Sequence, residues 1–364
     1  MLREDRHAWL DKDARLFYID DFPPPPEQAD APTTGGSPTT EMADLGQTFV
    51  LHSRPGAKRV IYLDFDGDLV SNTAWNSSYG MTTIDAKPFD LDGFPSTFSD
   101  TELQRIQNIW RRVAEDYAPF DVDVTTEEPL PDAIARSGST DQDYGTRVMV
   151  TRDWTKLTSS PCGCGGVAYV GVYNYTSETY KPAWVFFDNL GSGNEKYVAE
   201  AISHEAGHNL GLSHDGYNNG TTNVGYYQGH GSGATGWAPI MGVGYTKELT
   251  QWSKGEYAYA TQTQDDLQII QNYGGALRAD DHGDSPASAT ALAVSSGNVT
   301  GSGVIGTRSD VDVFSFYSGA GNINLNVIPA AIGPNLDIAM ALYDAAGTQL
   351  AYSNPVDALN GSIS

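Results

Sequence analysis

The chain has 364 residues, of which 21 are Lys or Arg and 46 are Asp or Glu, so its formal net charge at pH 7 is −25. A surface of this charge repels phosphate backbones and anionic lipids, which argues against nucleic acid and membrane as partners. No apolar run reaches the roughly 20 residues that span a bilayer. The 40% hydrophobic content and the length are sufficient for two folded domains.

Residues 1–46 are predicted to be a short leader followed by a linker. The N-terminus has no apolar stretch of the kind found in signal peptides. We therefore expect either a cytoplasmic protein or a secreted one whose signal peptide is missing from this sequence. From residue 21 to residue 46 the sequence is rich in Pro, Gly, Thr and acidic residues, a composition typical of extended, solvated linkers.

Residues 47–276 are predicted to form one α/β (α+β) domain with a mixed, mostly parallel sheet. The segment RVIYLDF is strand-like, and a helix follows in which Ser99 and Glu102 have the spacing of a capping box. Four further strand-like segments lie between residues 121 and 188. A second helix is predicted near Glu195 with Ser192 as its cap, and TQDDLQIIQNYGG is predicted to be a closing helix.

The segment VIYLDFDGDLV, at residues 60–70, has two interpretations. It resembles the nucleophile strand of the haloacid-dehalogenase phosphatases, which would make Asp64 the nucleophile, and Thr151 in RVMVTRDW would then belong to their second motif. However, no later acidic pair is placed to hold Mg²⁺, and the β-rich run after residue 121 lacks regular βα alternation. The favoured interpretation is an inner strand from Ile61 to Phe65, with Asp64, Asp66 and Asp68 as strand-end and turn residues.

The segment HEAGHNLGLSHD, at residues 204–215, predicts a metal site. His204 and His208 are four residues apart, so on a helix their imidazoles lie on one face and can bind one ion. Gly211 can adopt a left-handed conformation, which ends the helix and returns His214 to the same point. Three imidazoles with one position open to water are typical of catalytic zinc, and Glu205 is then placed as a general base.

These residues resemble the HExxHxxGxxH zinc helix of the metzincin peptidases, and Asp215 after the third histidine is similar to the reprolysin/adamalysin branch. APIMGVGY, at residues 238–245, resembles their Met-turn, with Met241 beneath the metal. The resemblance implies a secreted zinc-dependent endopeptidase acting on proteins or peptides, with His204, His208 and His214 as zinc ligands. Glu205 would be the general base for a zinc-activated water. A monomer is expected.

Some residues near these motifs keep more than one interpretation. Tyr245 lies four residues after Met241, not the two that a Tyr assistant in some metzincins would need, so it is left out of the predicted site. His230 is interpreted as a loop histidine. The family lays its peptide substrate along an edge strand, for which the segment from Gly166 to Tyr173 is the candidate. No Cys precedes Cys162, so a leader that inhibits must use another group on the zinc.

The only cysteines are Cys162 and Cys164. A disulfide between residues two apart is expected to be strained, and too few cysteines remain for a thiolate metal cage. The two thiols are therefore interpreted either as a local redox pair or as plain loop thiols.

Residues 277–364 resemble the bacterial pre-peptidase C-terminal domain, a small all-β sandwich, through the spacing of Asp310, Asp312 and Phe314 and through the LYDAAG turn. The chain stops without the last strands of such a domain, so we expect an incomplete sandwich and a longer natural protein. Calcium is a further candidate ligand, and its oxygen ligands would come from Asp280, Asp281 and Asp284. The plainer interpretation of these residues is a solvated acidic linker.

A non-enzymatic alternative remains, in which the chain is a catalytically silent secreted module that binds through its β-sandwich. The intact Glu205 argues against it, because a binding module has no use for a base beside the metal.

Overall fold

The computed structural model describes residues 5–21, 43–155 and 162–364, and its main layer is a mixed sheet. The strands up to residue 186 are β1 (Ala8–Leu10), β2 (Leu16–Asp20), β3 (Arg59–Asp64), β4 (Asp68–Ser71), β5 (Thr83–Ala86), β6 (Asp123–Thr125), β7 (Tyr144–Thr151), β8 (Gly166–Tyr169) and β9 (Ala183–Phe186). The helices are α1 (Ala74–Tyr79), α2 (Asp100–Asp116), α3 (Pro131–Ile134), α4 (Glu195–Asn209) and α5 (Asp266–Asn272).

The main sheet has seven strands in the order β1-β2-β8-β9-β7-β3-β6, among the residues described. Three of its ladders are parallel, namely β6 with β3, β3 with β7, and β7 with β9. The ladders of β8 with β9, β2 with β8 and β1 with β2 are antiparallel. The sheet is therefore mixed as predicted, but less parallel than predicted because the leader adds two antiparallel ladders at one edge.

Both faces of the sheet are covered, which explains why its central strands are continuous apolar runs. One face packs against α2 and α4 in a core that includes Ile61 and Leu63 of β3. The opposite face packs against α1 and the β4–β5 hairpin, with Trp75 and Trp184 fully buried. β3 lies between β7 and β6, so the prediction of an inner strand at Ile61–Phe65 is confirmed apart from its last residue, since β3 ends at Asp64.

The two long helices begin at different kinds of cap. α2 has the predicted capping box, in which Ser99 and Glu102 satisfy each other's backbone N–H groups. The prediction of Ser192 as the cap of α4 is wrong, because Ser192 takes a left-handed conformation and Asn194 accepts from the backbone N–H groups of Lys196 and Tyr197. The closing helix is confirmed as α5.

Four short strands lie between α4 and α5, namely β10 (Tyr217–Asn218), β11 (Asn223–Val224), β12 (Trp237–Pro239) and β13 (Leu249–Gln251). They form the pairs β10–β11 and β12–β13, outside the main sheet. The predicted Met-turn at residues 238–245 begins in β12 and ends before β13.

Beyond residue 277 the described strands form three separate two-stranded ladders. The strands are β14 (Thr290–Ala291), β15 (Phe314–Ser315), β16 (Leu325–Val327), β17 (Met340–Tyr343), β18 (Gln349–Ser353) and β19 (Gly361–Ile363). The pairs are β14–β15, β16–β19 and β17–β18. The sandwich and its incompleteness stay predictions.

Residues of the C-terminal region contact earlier parts of the chain through polar side chains. The Asn335 side chain donates to the Asp116 carboxylate at 2.6 Å. Arg308 forms ion pairs with Glu256 at 2.8 Å and with Asp265 at 2.9 Å.

The leader, predicted as a short segment before a linker, contributes β1 and β2 to the main sheet. Most of the predicted linker lies outside the described residues.

Asp116, at the end of α2, links stability to pH. Burial, and then the negative charge of Glu200, raise the pKa of Asp116 to about 8, although Ser203 and Asn335 donate to its carboxylate. The folded protein therefore holds a proton that the unfolded chain loses near its ordinary pKa of 3.8. Because the unfolded state binds fewer protons between these values, this group makes stability fall as pH rises from about 4 to about 8.

We predict that Asp116→Asn removes this loss of stability with rising pH. Relative to wild type, the free energy of unfolding of the variant should rise between pH 5 and pH 8 by about 1–3 kcal/mol. Urea unfolding at each pH measures the difference, with Asp100→Asn on the exposed start of the same helix as the control. A difference between the variant and wild type that stays constant with pH would contradict the assignment.

Candidate metal centre and active site

Three histidines from one helix and the turn after it converge in the interior. His204 and His208 lie on one face of α4, four residues apart, and both are buried. The helix ends at Asn209, and Gly211 then takes a left-handed conformation with a φ of +92°. A Cβ at Gly211 would lie 2.3 Å from the ring of Tyr273, so a larger residue does not fit. This turn brings His214, also buried, back to the other two rings.

Hydrogen bonds at the Nδ1 atoms fix how these rings point. The Nδ1 of His204 lies 2.9 Å from the carbonyl oxygen of Ile240, and the Nδ1 of His208 lies 2.9 Å from that of Leu212. A carbonyl can only accept, so each Nδ1 carries the proton, and the lone pair of each ring is on Nε2. His214 makes its Nδ1 contact with the carboxylate of Asp5 at 2.9 Å.

The Nε2 atoms face a carboxylate that sequence reasoning did not place in the site. Asp20, the last residue of β2, is fully buried among the three rings. Its oxygens lie 3.0 Å from the Nε2 of His214, 3.3 Å from that of His208 and 3.8 Å from that of His204. The Nε2 atoms of His208 and His214 are 3.2 Å apart.

These residues fit a zinc ion. Four ligands at the usual bond length of roughly 2.0–2.1 Å stand about 3.3 Å from one another in a tetrahedron, close to the separations between these atoms. Neutral imidazoles and a carboxylate are also ligand types that zinc accepts. The Nδ1 contacts are of the kind that orients metal-bound histidines in known sites.

Ionisation in this cluster follows from burial and close pairing. Burial alone would lower the pKa of His214, but the Asp20 and Asp5 carboxylates outweigh it and raise that pKa to about 9. Burial would raise the pKa of Asp20, but His214 and His208 hold it well below its usual value. The pKa of His204 lies below its usual value because of burial and the neighbouring His208.

Glu205 is fully buried beside the histidines. Burial first, and then the neighbouring Asp20 carboxylate, raise its pKa well above the usual value. β8 passes directly against it, since a Cβ at Gly166 would lie 2.3 Å from the Glu205 Oε1. The predicted base therefore contacts both Asp20 and β8, the strand predicted to receive a substrate.

Met241, predicted to lie beneath the metal, packs against α4. It is fully buried, and a Cβ at Gly207 would lie 2.7 Å from its Sδ. Gly207 therefore permits the close approach of the turn to the helix. Asp215 stabilises the same turn, because its backbone N–H donates to the carbonyl of Met241 at 2.8 Å. Its carboxylate accepts a hydrogen bond from Ser253 at 2.7 Å.

The structure shows the surroundings of the residues whose roles the sequence left open. Tyr245 is buried against the ring of Tyr197 and lines a small cavity with His204. His230 lies in a loop, where its ring contacts Tyr227 and Trp237, in line with a loop histidine. Cys162 and Cys164 form a disulfide, which favours a pair over independent loop thiols.

The acidic residues proposed for calcium divide among different groups. Asp280 lies with Asp310 and Asp312, and Asp281 lies with His282 and Asp312. Asp284 instead accepts from the backbone N–H of Val311 at 2.9 Å. Calcium binding stays a prediction.

The phosphatase interpretation is not favoured by the surroundings of Asp64. Its carboxylate is buried and held by the guanidinium of Arg147, with the Nε at 2.6 Å. Thr151 donates to the backbone carbonyl of Lys87 at 2.8 Å. Among the residues described, Asp64 belongs to no group of three or more side chains that could hold a metal.

Residues 105–215 match the family model described as metallo-peptidase family M12B, reprolysin-like. The match supports a metzincin-like zinc metallopeptidase. It ends at Asp215 and so includes all three histidines and Glu205. Comparisons with curated proteins and with solved structures gave no significant match.

The leader brings to the centre residues that the sequence alone did not predict there. Asp20 and Asp5 contact His214, and the Tyr18 ring packs on His208 with a centroid distance of 4.4 Å. Tyr226, outside the leader, donates to Asp20 at 2.7 Å. The available signal was LFYID, an apolar strand ending in an acidic residue inside a segment interpreted as a leader.

Among the described residues, no helix is long and apolar enough to cross a membrane.

We predict that Asp64→Asn lowers stability and leaves peptide cleavage largely intact. The variant weakens a buried charge pair, so the free energy of unfolding should fall by about 1–4 kcal/mol. Because Asp64 lies outside the histidine cluster, zinc-dependent cleavage per folded molecule should change by less than about threefold. Thermal unfolding and a peptidase assay measure the two effects, with Asp85→Asn at an exposed position as control. A folded variant that has lost all cleavage would contradict this.

Proposed function

We propose that the protein is a secreted zinc-dependent endopeptidase in which Glu205 is the general base. One observation carries the proposal: three buried imidazole Nε2 atoms converge beside a buried carboxylate and next to a strand that can pair with a peptide. The family match over residues 105–215 supports the same class of enzyme.

His204, His208 and His214 would hold the zinc. When bound, zinc supplies a Lewis acid that polarises the attacking water and the carbonyl of the peptide bond. The carbonyl oxygens of Ile240 and Leu212 keep the rings of His204 and His208 in the tautomer that leaves Nε2 free to bind the metal.

Glu205 would move the proton. Its carboxylate interacts with Asp20, which lies among the three histidines. It would accept a proton from the attacking water and deliver it to the amine nitrogen that leaves. Its burial keeps bulk water away from this transfer and raises its pKa above the usual range of a carboxyl.

β8 would position the substrate. Its backbone groups on the side away from β9 pair with an extended segment in antiparallel register. A peptide bound in this way receives main-chain hydrogen bonds at every second residue. Its binding therefore depends little on its sequence. Gly166 brings this strand against Glu205, so a peptide on β8 would pass the base and the metal ligands.

Secretion and a monomeric state belong to the same proposal, as does the assignment of residues 277–364 to a pre-peptidase C-terminal-like module. The acidic surface, with a net charge of −25, would keep such a protein soluble and apart from anionic surfaces.

We predict that Glu205→Gln binds zinc as wild type does but cleaves peptides about 10²–10⁴-fold more slowly. The amide has the size of the carboxylate but cannot accept the proton. Zinc content by metal analysis and a peptide-library digest by mass spectrometry measure the two properties. Glu195→Gln, at the start of the same helix, is the control. A zinc-loaded Glu205→Gln variant that cuts as fast as wild type would refute the role of this residue.

A further inference from the structure

The edge of β8 that would bind a peptide is already paired with β2 of the same chain. β2 pairs with β8 in antiparallel register, with Tyr18 opposite Ala168 and Asp20 opposite Gly166. Two further backbone bonds extend the pairing, from Gly165 to the carbonyl of Asp20 at 2.7 Å and from Val170 to that of Leu16 at 3.1 Å. An extended substrate and β2 would use the same backbone groups of β8, so only one of them can be present at a time.

Asp20 would also compete with water for a ligand position on the metal. Its carboxylate lies within 3.8 Å of the Nε2 atoms of all three histidines. Catalytic zinc sites keep three protein ligands and one open position, whereas sites with four protein ligands are structural. With Asp20 as a ligand, a zinc ion held by the three histidines would have four protein ligands and no open position for water.

Side chains around Asp20 hold it in this position. Tyr226 donates to its Oδ1 at 2.7 Å. The Tyr18 ring is buried against His208 and His214, with centroid distances of 4.4 and 4.1 Å. Earlier in the leader, Asp5 contacts the Nδ1 of His214 at 2.9 Å, and the ring of His7 packs on Tyr226 at 4.7 Å.

We propose that residues 5–21 are an internal inhibitor, in which β2 occupies the substrate edge of β8 and Asp20 supplies the fourth zinc ligand. The inference rests on the proposed function and adds its regulation: the site becomes competent only when Asp20 leaves the metal and β2 leaves β8.

The test uses the full chain and three variants of the leader. Asp20→Ala removes the ligand. Tyr18→Ala/Asp20→Ala also removes the ring that packs on the histidines, which weakens the hold of β2. Asp13→Ala is the matched control, because Asp13 is an exposed leader residue whose side chain contacts Lys12 and not the histidines. Circular dichroism and thermal unfolding establish that each variant is folded, and Asp20→Asn replaces Asp20→Ala if the latter does not fold.

The first readout is independent of activity. Each protein is loaded with cobalt(II), whose visible absorption depends on the number and geometry of its ligands. We expect Asp20→Ala to change this spectrum and to lose the metal to a chelator about tenfold faster than wild type, while Asp13→Ala matches wild type. Spectra and release rates that are the same for Asp20→Ala and wild type would overturn the ligand assignment.

The second readout is cleavage of a peptide library by the zinc-loaded proteins. Asp20→Ala is expected to cut about tenfold faster than wild type or more, with the double variant faster still, since each removes part of the competition for the site. A double variant with a changed cobalt spectrum that cuts no faster than wild type would overturn the inhibitor while leaving Asp20 as a structural ligand.

The same experiment separates failure of the inference from failure of the proposed function. Adding Glu205→Gln to the double variant should abolish its cleavage. If wild type already cuts as fast as the double variant, and both lose activity with Glu205→Gln, the inhibitor is wrong and the peptidase stands. If the cobalt spectrum changes in Asp20→Ala but none of the proteins cuts any peptide, the ligand stands and the proposed function is wrong.

Discussion

The hydrogen bonds that hold the imidazole Nδ1 atoms determine the geometry of the whole centre. Two of the acceptors are backbone carbonyls, of Ile240 and Leu212, so two rings have their protons on Nδ1 and their lone pairs on Nε2. The first carbonyl belongs to the segment before Met241 and the second to the turn after Gly211. The metal site therefore depends on loops packed around the helix as much as on the helix that carries the histidines.

Small residues let these elements approach each other. Gly207 admits the side chain of Met241 against the helix, Gly211 turns the chain against Tyr273, and Gly166 brings β8 against Glu205. Each contact leaves no space for a Cβ, so three glycines of different elements serve one site. The same closeness places the proposed metal ligands, the proposed base and the strand proposed to pair with a peptide side by side, which is the arrangement that peptide hydrolysis requires.

The sequence predicted the parts of this arrangement that depend on local spacing. The helix with His204 and His208 follows from a four-residue period, and the left-handed turn at Gly211 follows from its lack of a side chain. The place of Asp20 could not be predicted, because pairing of β2 with β8 joins segments about 150 residues apart and short strands carry little register information. The cap of α4 was misplaced for a local reason, since Ser192 and Asn194 are both good cap residues and only the backbone conformation decides between them.

Diffraction from crystals of the intact, zinc-loaded chain, recorded at the zinc absorption edge, tests the central claim most directly. The account predicts one anomalous peak about 2.0–2.1 Å from the Nε2 atoms of His204, His208 and His214, with an Asp20 oxygen as the fourth neighbour. A zinc peak elsewhere in the molecule, or none among these three histidines, would contradict it.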